Sequence, residues 1–140
     1  MAEGTRREGP VVLVVDDEPD IVEYLSEVLQ DHGFRPAGFT DAGKALEAAR
    51  SASPDLVILD VMMPGRTGLS LYRSLRSLPG RERVPVLFVS GAAREEDFEG
   101  GLPPGWSAAA LEGPHAFLEK PLSVERLLGA IRGFLGGRDP

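Results

Sequence analysis

Apolar residues fall along the chain in two patterns: unbroken runs of four or five, and stripes that return every three or four positions. Val11–Val15, Leu56–Leu59 and Val86–Val89 are the unbroken runs, rich in Val, Leu and Ile. Each predicts a short strand buried on both faces of a sheet. Ala116-Phe117-Leu118 predicts a shorter one, and Phe34–Phe39 a weaker one whose Pro36 places it at a sheet edge. The stripes lie between them. Ile21, Val22, Leu25, Val28 and Leu29 keep helical spacing, with Pro19 in the first turn and Gly33 as the stop. Ala45, Leu46 and Ala49 mark a helix from about Asp41 to Ala52, ended by Ser53-Pro54. Leu69, Leu71, Tyr72, Leu75 and Leu78 mark another, broken by Pro79-Gly80. Val124, Leu127, Leu128, Ile131 and Leu135 mark the last, from about Ser123.

Five strands alternating with helices predict an α/β fold: a doubly wound parallel sheet with helices on both faces. Parallel strands bring all their carboxyl ends to one edge. The first run ends in Asp16-Asp17-Glu18, the second in Asp60, the third in Ser90-Gly91 and the last in Glu119-Lys120-Pro121. The groups Asp16, Asp17, Asp60, Ser90 and Lys120 therefore converge where open α/β sheets place their ligands. Gly100 to Pro114 breaks the pattern, with at most one helical turn and the only Trp, Trp106, which is expected to fold back over the core.

Composition narrows the function classes. The 140 residues suit one domain, expected over residues 11–135 between a flexible tail (1–10) and a short C-terminal tail (136–140), with no output domain. No apolar run approaches a membrane span, and Met1 to Pro10 lacks a signal-peptide core. The absence of Cys excludes thiolate chemistry and disulfides. An unexported, cytoplasmic protein without membrane contact is expected. The formal charge of −7 argues against direct nucleic-acid binding, which depends on neutralising phosphates.

Three carboxylates around one point need a cation, and oxygen-only ligands with open positions suit Mg²⁺. The plainer reading is a solvated acidic loop, with Asp60 capping the turn at Pro64-Gly65. A hydroxyl at Ser90 and an ammonium at Lys120 weigh against it, because together with a metal they supply what a phosphoryl group needs. Asp60 would then be the nucleophile, since a carboxylate can form an acyl phosphate.

With Val14-Val15-Asp16-Asp17-Glu18, Ile58 to Gly65 with Gly68, Val89-Ser90-Gly91 and Glu119-Lys120-Pro121, the chain resembles the response-regulator receiver domains of two-component signalling. The resemblance covers Val11 to Leu135. It implies a flavodoxin-like sheet of order 2-1-3-4-5 and a phosphoacceptor Asp60 served by a histidine kinase or phosphotransfer protein. It implies Mg²⁺ held by Asp17, Asp60 and the Met62 backbone carbonyl, with Asp16 contacting it directly or through water. Ser90 and Lys120 would engage the phosphoryl oxygens, Phe117 would be the aromatic switch, and Lys120-Pro121 a cis peptide. Met62 and Ala92 would rim the path of a hydrolytic water. A downstream protein partner is implied as well, and the irregular Gly100 to Pro114 segment stands in place of the family's regular fourth helix. Rival readings are a Mg-dependent phosphohydrolase of haloacid-dehalogenase type and a non-phosphorylated interaction module. Arg66, Arg73, Arg76, Arg81 and Arg83 are expected to form a solvated face, and His32 and His115 to be incidental.

Overall fold

The structure is a computed structural model that describes residues 9–63, 66–90, 113–119 and 123–136; side chains at 62–63, 66–69 and 90 lie outside that description. Five strands, β1 (Val11–Val15), β2 (Arg35–Phe39), β3 (Leu56–Asp60), β4 (Val86–Ser90) and β5 (His115–Glu119), form one sheet. The order is 2-1-3-4-5 and every pairing is parallel, as the alternation with helices predicts. The helices are α1 (Pro19–Asp31), α2 (Ala42–Ala52), α3 (Gly68–Arg76) and α4 (Val124–Leu135). Pro36 does sit in an edge strand, where its missing N–H costs no ladder bond on the open side.

The period-two pleat of the strands sorts the core into two layers. Val12, Val14, Leu56, Ile58, Leu87 and Val89 pack with Leu25, Val28 and Leu29 of α1 and Leu127, Leu128, Ile131 and Leu135 of α4. The alternate set, Leu13, Val15, Val57, Leu59, Val86 and Phe88, packs with Ala45 and Ala49 of α2 and Leu71, Tyr72 and Leu75 of α3. Both faces of β1, β3 and β4 are thus covered, which is why these strands read as continuous apolar runs. Asp60 follows Leu56 and Ile58 with the same period and leaves the sheet on the α1/α4 side.

At Gly38 in β2, an added Cβ would collide with Cγ1 of Val22 on α1. Val22 is β-branched and stiff, so it cannot swing aside as a long side chain would. Gly38→Ala is expected to lower stability by about 1–3 kcal/mol, the usual range for overpacking. Urea unfolding checks this through a lower midpoint at unchanged slope.

Two arginines correct the expectation of a solvated basic face. Arg73 and Arg83 are exposed, but Arg76 and Arg81 are half-buried and bonded to backbone carbonyls. Arg81 donates to the carbonyls of Ala49 (2.6 Å) and Arg50 (3.0 Å) and to the Ser53 hydroxyl (2.9 Å). A cation at the carboxyl end of α2 satisfies open carbonyls and suits the helix dipole. It also braces Ser53, which closes the helix with a left-handed φ of +50°. The third stripe stops as a helix at Arg76, short of Pro79-Gly80; buried Leu78 follows in a turn, its N–H bonded to the Leu75 carbonyl.

Candidate functional site

The site begins where β1 runs out. The Asp16 N–H still bonds to the Phe39 carbonyl of β2 (3.1 Å), so the chain leaves the sheet at a fixed point. One Asp16 carboxylate oxygen accepts the Glu18 N–H at 3.0 Å, a turn of the kind short acidic side chains make with the backbone two residues on. Pro19 then occupies the first turn of α1, where a missing N–H costs nothing. This bend turns the Asp16 carboxylate inward, 1% exposed, leaves Asp17 half-buried and puts Glu18 in solvent. A turn-capping role for Asp16 is therefore real, but it explains neither Asp17 nor Asp60.

Asp60 is the last residue of β3 and is 5% exposed. Parallel pairing of β1 with β3 sets its carboxylate beside the β1 turn. Asp16, Asp17 and Asp60 each offer an oxygen, and these oxygens lie within 4.8 Å of one another. At that spacing, two ionised carboxylates repel by about 3 kcal/mol at an effective dielectric near 20. A hard dication with an incomplete shell of oxygen ligands removes that repulsion, so the donor set fits a metal of this kind.

After β3 the Val61 N–H bonds to the Val89 carbonyl of β4 (2.9 Å), and Met62–Met63 pair antiparallel with Arg66–Thr67. That pairing was not legible in the sequence; Pro64-Gly65, expected to turn the chain, lies outside the described residues. The pairing places the Met62 backbone directly after the acidic pocket. Ser90 ends β4 in register with Glu119 at the end of β5, so its backbone reaches the same edge as Asp60; its hydroxyl is outside the description. Lys120, Pro121 and Ala92 also lie outside it, as do the 1–8 tail, Trp106 and most of the Gly100 to Pro114 segment.

Phe117 is half-buried in β5 and stacks on its register partner Phe88, with ring centroids 4.9 Å apart and planes 19° from parallel. Tyr72 of α3 lies 5.3 Å from Phe88, and His115 sits edge-on to Tyr72, Phe88 and Phe117 at 6.1–6.5 Å. Among the described residues His115 is thus part of a four-ring cluster, not the incidental histidine expected from the sequence. Tyr72 and Phe88 are distant from it in the chain, and the register of β4 with β5 and the packing of α3 on the sheet bring them together.

The family model for the response regulator receiver domain matches residues 12–132. The chain belongs to this family. It is 35% identical over 124 residues to the DNA-binding response regulator MtrA of Mycolicibacterium smegmatis, covering 89% of this chain and 50% of MtrA. It is 30% identical over 126 residues to the protein PilH of Pseudomonas aeruginosa, covering 90% of this chain and 98% of PilH. Among solved structures, the chemotaxis protein CheY4 of Vibrio cholerae superposes with a TM-score of 0.76 at 28% identity, covering 90% of this chain and 98% of CheY4. The chain therefore spans about half the length of MtrA but nearly all of the other two. These relatives make a receiver of signals rather than a phosphohydrolase the reading of the acidic pocket. No helix among the described residues is long and apolar enough to cross a membrane.

Proposed function

We propose that this receiver domain takes a phosphoryl group onto Asp60 from a phosphohistidine of a histidine kinase or phosphotransfer protein. The observation that carries the reading is the convergence of the Asp16, Asp17 and Asp60 oxygens at the carboxyl edge of the sheet. An Asp60 oxygen attacks phosphorus in line, the phosphorus–nitrogen bond breaks, and the imidazole leaves with its electron pair and is protonated. Asp16, Asp17, Asp60 and the Met62 carbonyl would hold Mg²⁺, which when bound offsets the charge gathered on the phosphoryl oxygens. Asp16, held by the Glu18 N–H, arrives already oriented, so little ordering is left for the moment of transfer. Ser90 and Lys120 would donate to the phosphoryl oxygens from the ends of β4 and the strand beside it. Phe117 would respond by repacking against Phe88. The signal would pass to a downstream protein by contact, within the cytoplasm.

Acetyl phosphate with Mg²⁺ tests this without a kinase. Intact mass should show one added phosphoryl group that is lost on mild hydrolysis. A wild-type protein that stays unlabelled would leave an interaction module as the better reading.

The lifetime of the adduct depends on whether a water can be held in line with the Asp60–phosphorus bond. Met62 and Ala92, the proposed rim, carry neither carboxylate nor amide to hold one. Slow loss of the phosphoryl group is expected, and Met62→Asn should shorten its lifetime several-fold without changing Mg²⁺ affinity, because the metal would use only the backbone carbonyl there. A decay time equal to wild type would remove Met62 from the role.

A further inference from the structure

Arg76 ends α3, yet most of what it touches belongs to other parts of the chain. Its Nη1 donates to the carbonyls of Arg81 (3.1 Å) and Val84 (2.5 Å), and its Nη2 to the carbonyl of Pro114 (3.0 Å). The Pro114 carbonyl also accepts the Val86 N–H at 3.1 Å, so one oxygen is shared between the clamp and the start of the β4–β5 pairing. The guanidinium carbon lies 4.6 Å over the centre of the Tyr72 ring, a cation–π distance. Gly113, with φ of +84°, passes so close that a Cβ there would stand 2.8 Å from the guanidinium. The chain entering β5 is therefore pressed against Arg76 and bonded to it.

From this cation the contacts run without a break to the proposed switch. Arg76 covers Tyr72, Tyr72 lies against Phe88, and Phe88 stacks on Phe117. Three carbonyls from two separate segments meet one planar fork, a geometry that fixes position as well as contributing energy. We propose that Arg76 is a positioning residue that fastens the start of β5 to the last turn of α3 and so holds the Phe88–Phe117 stack in one arrangement. On the receiver reading, which this step rests on for its functional consequence only, repacking of Phe117 works against that clamp. Arg76 thereby sets how far the switch is populated before any phosphoryl group arrives.

Lysine keeps the charge and much of the stem but offers a point charge instead of a fork. In unphosphorylated Arg76→Lys, amide hydrogen exchange at Val86 and through His115–Phe117 should speed at least about tenfold. β1 and β3, which open only with the whole fold, should speed no further than the loss of stability measured by urea unfolding requires, and Val86 and His115–Phe117 should speed beyond it. In the same sample the Phe117 ring resonances should move part of the way toward their position in the acetyl-phosphate-treated wild type. Arg76→Met, which removes every donor, should enlarge both effects. Equal acceleration across the sheet, or none anywhere, would overturn the clamp. Phe117 resonances fixed at the wild-type position would overturn its link to the switch. The exchange measurement needs no phosphoryl donor, so it decides the clamp even if Asp60 proves not to be the acceptor.

Discussion

Asp60→Asn is expected to abolish the phosphoryl adduct formed with acetyl phosphate and Mg²⁺, while the protein stays folded. The amide matches the carboxylate in shape but has no anionic oxygen to attack phosphorus. It also removes one of three charges whose oxygens lie within 4.8 Å of one another, so the metal-free variant should melt at or above the wild-type temperature. Loss of label together with an unchanged or raised melt separates lost chemistry from lost structure. The two remaining carboxylates are poor substitutes for different reasons. Asp16 is 1% exposed and has an oxygen committed to the Glu18 N–H, and Asp17 lies on the turn rather than at a strand end. Label persisting at the wild-type level in the variant would mean that Asp60 is not the acceptor.

The architecture was readable because burial leaves its mark on each element locally. β1, β3 and β4 are covered on both faces, so they show as unbroken apolar runs, and the helices with one covered face show as stripes. Once those runs are taken as parallel strands, their ends must share an edge, and Asp16, Asp17 and Asp60 meet without any further information. What stayed hidden depends on partners distant in sequence. Arg76 and Pro114 are 38 positions apart, and nothing near Arg76 in the chain distinguishes it from exposed Arg73. A carbonyl acceptor has no side chain to announce it, so a stretch of arginines reads as a solvated face. The same holds for Arg81, whose acceptors lie at the end of α2. His115 was obscure because its ring partners come from α3 and β4, and a single histidine beside an apolar triplet has no period of its own.

Removing a ligand charge should be read most directly through metal-linked stability. In the wild type, Mg²⁺ at ten times its dissociation constant should stabilise the fold by about 1.4 kcal/mol, a rise of several degrees in melting temperature. Asp17→Asn is the informative variant because Asp17 is half-buried and, among the described residues, no backbone bond of the turn depends on it, whereas Asp16 holds the Glu18 N–H. Taking one charge from the cluster should raise metal-free stability by about 1 kcal/mol, less than the repulsion of a fully buried pair because water screens a half-exposed group. The same change should weaken Mg²⁺ binding at least about tenfold, so that at the concentration used for the wild type the stabilisation falls to about 0.4 kcal/mol or less. The two effects have opposite consequences for a melt: the variant starts higher without metal and gains less from it. Phosphorylation by acetyl phosphate should slow in step with the lost metal occupancy and recover part of the way at raised Mg²⁺. A variant that gains as much from Mg²⁺ as the wild type would show that Asp17 is not a ligand. A variant less stable than wild type without metal would show that the three carboxylates are not held in mutual repulsion.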